Sequence, residues 1–290
     1  GDLIIPRVTT TTSTSIGEGA FLGCEGLNGK LELFNGFNGK PSTSSTSTIT
    51  VGKSAFEGCK NIVGPLDVSH IRTINERAFR GCSSLTGELK FYSSLGAINN
   101  HIFDGCRSLT GSITWPTSVG TIGEYAFNGC SGLSGDLNLP SGVREVKQHA
   151  FHGCSGLTGP IVVPTGLYKI GKYAFAGCSR LSDSIKINVG LSTTTIERNA
   201  FDGCTGFKDG TLTIFIENNE EKGTVKADIS DFYRYRYFLR IENEAFEDCK
   251  FKNIYYNGRF EPDCDYDIGI AGHKGIHTSS NYVNKSFCNN

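Results

Sequence analysis

Two histidines at i and i+4, His273 and His277, stand between Cys264 and Cys288 near the end of the chain. Two Cys and two His could in principle make a zinc site, because such a His pair can share one face of a helix. The set lacks the short Cys pair that makes the pattern specific, and Gly-His-Lys-Gly-Ile-His is a poor helix. No metal is therefore assigned, and Cys264 and Cys288 remain candidates for a disulfide or for free thiols. Asp263, Asp265, Asp267 and Gly269 begin like a calcium loop, but Ile268 occupies the position that needs Gly and Lys274 the position that needs Glu. No nucleophile-elbow, HExxH or phosphate-loop motif occurs, and the six His form no triad with a Ser or Cys. The residues point to a protein that is not an enzyme and uses no cofactor.

Chemistry of recognition is better represented. Nine Cys (Cys24, Cys59, Cys82, Cys106, Cys130, Cys154, Cys178, Cys204 and Cys249) recur at spacings of 35, 23, 24, 24, 24, 24, 26 and 45 residues. Five residues before them stand Gly19, Ser54, Arg77, His101, Tyr125, His149, Tyr173, Asn199 and Glu244. If that slot points outward, Arg77, His101, Tyr125, His149 and Tyr173 make a stripe of flat polar and aromatic groups able to stack on sugars or partner side chains. Alternatively, the stripe only shields the edge of the repeat. The run Phe232 to Phe238 alternates Tyr233, Tyr235 and Tyr237 with Arg234 and Arg236, which would place an aromatic face and a guanidinium face on opposite sides of one strand. That pair of faces either grips a ligand or packs its Tyr side on the body of the protein.

What positions these groups is a repeat of about 24 residues. Three residues before each recurring Cys is a Phe (Phe21, Phe56, Phe79, Phe103, Phe127, Phe151, Phe175, Phe201, Phe246), and eight before it an Ile or Val. Three after it stands an apolar residue, Leu27, Ile62, Leu85, Leu109, Leu133, Leu157, Leu181 or Phe207. Such columns must share one interior, since a single turn of this size cannot bury its apolar face alone. The Cys column then belongs to the core as reduced thiols packed like small hydrophobes.

Alternating pairs such as Leu89/Phe91, Ile113/Trp115, Leu137/Leu139, Ile161/Val163 and Ile185/Ile187 have the period of a half-buried strand. Stacked in order they predict a parallel sheet, closed at one end by Pro116, Pro140 and Pro164. Trp115 falls in the core register. The residues between the pairs, Glu32, Asp67, Lys90, Thr114, Asn138, Val162, Lys186 and Thr213, would face outward as a second candidate binding surface. The Ala-Phe-x-Gly-Cys segments predict helical turns. The fold class expected is a β-rich solenoid of about nine stacked coils, about 40 Å long at the spacing of neighbouring strands. It spans residues 1–255, with insertions at about 34–47 and 215–237 and a C-terminal cap or tail over 256–290. Ser/Thr tracts around residues 9–15 and 41–48 read as exposed loops, open to O-glycosylation if secreted, and Asn284-Lys285-Ser286 is a sequon.

The 290 residues carry a formal net charge of -1, which gives no bulk electrostatic case for nucleic acid or an anionic membrane surface. No apolar run approaches the roughly 18 residues of a membrane span. Met is absent altogether, so the sequence reads as a processed form or fragment whose signal or anchor would lie outside it.

The string Leu-x-Leu-Pro at Leu137 to Pro140, followed by Ile-Gly-x-Tyr-Ala-Phe-x-Gly-Cys at Ile170 to Cys178, resembles the leucine-rich repeats of BspA-like, Treponema pallidum type surface proteins. The likeness covers about residues 16 to 255. It implies an extracellular or cell-surface adhesin without catalysis that binds a host or cell-surface protein or a glycan. A structural spacer, or a self-associating surface layer without a specific ligand, is the alternative.

Overall fold

In the computed structural model, described over residues 1–5, 14–33, 49–189, 194–216, 239–242, 244–249, 253–256 and 277–278, the chain winds as a parallel β-solenoid. Its axis is marked by the Phe column. Nine rings from Phe21 to Phe246 stack in sequence order, with centroids 5.0 to 5.8 Å apart and planes within 21° of parallel. From Phe56 onward each of these rings is at most 2% exposed. Burying one contributes about 1.5 to 3 kcal/mol, so this column is a main source of cohesion. The Cys, Leu and Ile columns close around it in one continuous core.

The most continuous ladder lies on the Ile column rather than on the alternating pairs. Ala97–Ile98, Thr121–Ile122, Glu145–Val146, Lys169–Ile170, Thr194–Ile196 and Leu239–Ile241 form a six-stranded parallel sheet. Thr14–Ile16, Ile49–Val51 and Ile71–Ile74 form a three-stranded one ahead of it. The alternating pairs face inward as expected, but their ladder is broken in the middle of the molecule. Leu89–Lys90 pairs only with Ile113–Thr114, and Leu137 to Leu139 form no strand. Pro116 and Pro140 bring no N–H to the ladder, and the Asn138 N–H turns back onto the Asp136 carbonyl. Proline alone does not set strand length, since Leu89–Lys90 is as short with Tyr92 at that slot and Ile161–Val163 pairs over three positions ahead of Pro164. Further along, Ser184–Val189 and Thr211–Ile216 pair along six register positions. That second strand includes Phe215 and Ile216, where the sequence suggested an insertion begins. Asn253–Tyr256 and His277–Thr278 extend the same sheet, so part of the expected tail continues the stack.

The Ala-Phe-x-Gly-Cys segments are not helical turns. In each, alternate N–H groups close local turns, as Ala78 does to Asn75 and Cys82 to Phe79, while those between reach the next coil, as Phe79 does to Ile102 and Gly81 to Asp104. The residue five before the Cys takes the left-handed conformation in every coil, with φ of 54° at Tyr125 and at His149. A helix cannot propagate through it. The one helical element described is the 3-10 turn Thr205–Asp209. The first insertion, the Tyr233 to Arg236 run, Cys264 and Cys288 lie outside the described residues.

Candidate recognition surfaces

The strand face is built by alternation. Leu89 and Ile113 point into the core at 0% and 9% exposure, and their neighbours Lys90 and Thr114 stand opposite one another on the outside. In the same way Val162 registers with Lys186 and Lys186 with Thr213 over buried Ile161, Ile185 and Leu212. Lys90, Thr114, Asn138, Val162 and Lys186 are all exposed, Val162 by 43%. At the N-terminal end of this face a depression is lined by Lys30, Glu32, Asp67, Ser69, Glu88 and Lys90 over a floor of Leu31 and Leu66. Lys90 pairs there with Glu88 at 3.2 Å. Trp115 packs against Phe91, Phe127 and Phe151, so that it turns to the core side, as its register predicts, but remains partly buried at the core's edge.

The other surface follows from the left-handed residues. Coil stacking places their side chains directly above one another, half-buried at the rim of the turn. His101 stacks on Tyr125 at 4.8 Å, Tyr125 on His149 at 4.6 Å and His149 on Tyr173 at 5.1 Å, with planes within 16° of parallel. Lys172 Nζ sits 5.4 Å from the Tyr173 ring centre. This stripe is the one expected from the sequence, with one difference. The inner ring faces are spent on each other rather than left flat and ready to stack on a sugar, while His149 Nδ1 is buried without a hydrogen-bond partner and His101 Nδ1 is taken by Asp104. Burial, then His152 and Lys172, hold the His149 imidazole below its ordinary value.

Beside the rings runs a polar chain that the sequence reading missed. Arg80 donates from Nη1 to Glu57 at 2.8 Å and from Nε to Asp104 at 3.1 Å. Asn128 Nδ2 donates to the other Asp104 oxygen at 2.8 Å, and Asn128 Oδ1 lies 2.9 Å from His152 Nδ1. His101 Nδ1 joins at 3.0 Å from Asp104. Five coils are thus linked through the variable residue of Ala-Phe-x-Gly-Cys. Its signal was available once the copies are aligned, since the column reads Glu57, Arg80, Asp104, Asn128, His152. Burial acts to raise the Glu57 carboxyl, but hydrogen bonds from Ser54 and Arg80 outweigh it and hold the group below its ordinary value. Among the described residues no group of three His, Cys, Asp or Glu is placed to hold a metal ion. No described helix is long and apolar enough to cross a membrane.

Comparison with known proteins agrees with this architecture. The family model for the BspA type leucine rich repeat region matches residues 49–181 and 157–262, in six copies. The crystal structure of a T. pallidum leucine rich repeat protein is similar at 27% identity, covering 63% of this chain and 84% of that one, with a TM-score of 0.44. A leucine-rich repeat protein from Bacteroides ovatus is 22% identical over 83% of this chain with a TM-score of 0.50, a likeness of fold, and the match spans 58% of its length. A leucine rich cell surface protein from Faecalibacterium prausnitzii is 20% identical, covering 86% of this chain and 79% of that one, with a TM-score of 0.33. No curated protein matches. With its repeat model matched across most of the chain and the coils stacked as such repeats require, this protein belongs to the BspA-type leucine-rich-repeat family.

Proposed function

We propose that the protein is a non-catalytic recognition module of the cell surface or extracellular space, which binds a protein or glycan partner along its strand face. The observation that carries this reading is the row Lys90, Thr114, Asn138, Val162 and Lys186, exposed and chemically varied over a core that repeats. A solenoid can vary such a row without cost to its columns, which suits it to present one continuous surface to a partner. The half-buried rims of the stacked His101, Tyr125, His149 and Tyr173 rings supply a second row on the turn face. The surface location rests on the family resemblance. With a net charge of -1, nucleic acid is not the partner in this reading.

A screen of the chain against matrix proteins and glycans identifies the partner. Reversing the charge of the row, Lys90→Glu with Lys186→Glu, should then weaken binding at least tenfold while leaving thermal melting unchanged. Unaltered affinity would move the site off this face. The unbroken stack of nine rings favours a second reading, a rigid spacer that self-associates without a specific ligand. Sedimentation at rising concentration separates the two.

A further inference from the structure

The six-stranded sheet on the Ile column carries a pair of side chains unlike those of the strand face or the turn face. The slot two residues before the buried Ile or Val reads Gly96, Gly120, Arg144 and Tyr168 in successive coils. Arg144 and Tyr168 stand side by side there, since Glu145 registers with Lys169 and Val146 with Ile170. Tyr168 is 45% exposed, the one exposed Phe, Tyr or Trp among the described side chains. The turn-face rings stack on one another, whereas Tyr168 has no ring partner among the described residues. Its hydroxyl donates to Glu145 at 3.4 Å, which steadies the ring and leaves its faces unspent.

Arg144 is also exposed, and among the described residues no carboxylate pairs with it. Its guanidinium lies across Gly166 of the next coil, where a side-chain carbon would collide with Nη1. A glycine at that turn is therefore what lets the arginine rest against the coil. On the N-terminal side Gly120 and Gly96 bring no side chain to the slot, so the ring and the guanidinium rise at the edge of a low, flat floor.

We propose that Arg144 and Tyr168 form a binding subsite for a carboxylate-bearing sugar, a uronic acid unit of an acidic polysaccharide. A uronate brings both complements on one ring: a C–H face to lie on Tyr168, and a planar carboxylate to accept two parallel N–H bonds from the guanidinium. An arginine already laid down on its coil has less freedom to lose on binding. An acidic peptide suits the surface less well, because the main chain beneath is already paired. The Gly120 N–H donates to Gly96 at 2.9 Å, and those of Arg144, Tyr168 and Thr195 donate to Gly120, Arg144 and Tyr168 at 2.8 Å each. A peptide laid on that floor would find no main-chain partners, a cost that a polysaccharide does not carry. The subsite lies on a different sheet from the Lys90 to Lys186 row and does not depend on it.

The test titrates the full chain by calorimetry with tetragalacturonate and tetramannuronate, and with their methyl esters and poly-glutamate for comparison. Expected is saturable binding of at least one uronate, at least tenfold weaker for its ester. Tyr168→Ala and Arg144→Gln should each weaken that binding at least tenfold with melting unchanged, and Tyr168→Phe should retain it. Gly166→Ala, which displaces the guanidinium without touching its charge, should weaken it at least threefold. The strand-face variant Lys90→Glu with Lys186→Glu should bind the uronate as the parent does, so the two surfaces fail separately. Binding of neither uronate, equal binding of the ester, or undiminished binding by Tyr168→Ala or Arg144→Gln overturns the proposal. So does tighter binding of poly-glutamate that those two variants abolish, which would make an acidic peptide the occupant.

Discussion

The thiol of Cys130 donates to the carbonyl oxygen of Phe103, one coil earlier, at 3.1 Å. That carbonyl also accepts the Cys106 N–H at 3.0 Å, so both lone pairs of a buried oxygen are used. The same bond recurs from Cys59 to Cys249. A small buried side chain with a weak donor is what the slot requires, which explains why Cys rather than Ala or Val fills it.

Thiol reactivity should follow that geometry. Burial pushes the Cys178 thiol up to about 12 and Cys130 and Cys154 well above their ordinary value, so essentially no thiolate exists there near neutral pH. Brief alkylation of the native protein with peptide mapping should label half-buried Cys24 alone among the nine ladder thiols, and all nine after unfolding. Rapid native labelling of Cys130 or Cys154 would contradict a closed core.

Removing one ring should propagate along the column. Phe127 stacks on Phe103 and Phe151 and meets Trp115 edge-on at 5.8 Å. Phe127→Ala should cost about 3 to 5 kcal/mol, read as a lower denaturant midpoint. Because neighbouring coils share that stack, amide exchange should quicken at Phe103 and Phe151 as well as at residue 127. Unchanged melting would be incompatible with the ring's place at the axis.

Much of this was legible in the sequence because a core column must use one residue type at one slot, as Phe127 and its eight counterparts do. The strand face was legible too, since alternation fixes which of Ile161 and Val162 points outward. Two features were not. Strand continuity is decided by where backbone donors go, and the Asn138 N–H turns back onto Asp136 although Leu137 and Leu139 have the apolar pattern of a strand. The left-handed turn residue carries no glycine signal beyond Gly19, because stacking holds Arg77, His101 and Tyr125 in a conformation their types disfavour. The ring ladder that results depends on that backbone, so its spent faces could not be read from residue types.

Backbone conformation at Tyr125 gives an inverted substitution order. Its φ of 54° lies where a Cβ is disfavoured and Gly is not. Both Tyr125→Ala and Tyr125→Gly lose the stacks on His101 and His149, so their difference isolates the backbone. The Gly variant should be the more stable by about 1 kcal/mol, the reverse of the order in a helix. Equal stabilities, or Ala above Gly, would show that the turn relaxes out of the left-handed region.

Acid should loosen the ring ladder at His149. Its imidazole is flanked by the Tyr125 and Tyr173 rings, with His152 at 5.3 Å and Lys172 nearby, and no carboxylate is among the causes that shift it. Its native value is depressed below the 6.5 of an ordinary histidine, so between the two the unfolded chain binds the proton and the folded one does not. The His149 contribution is therefore complete above about pH 6.5 and declines as pH falls toward the lowered native value. His149→Phe keeps a flat ring in the stack without the titration. Its melting temperature should fall less than that of the parent between pH 7.5 and 5, and parallel declines would assign the acid sensitivity to other groups.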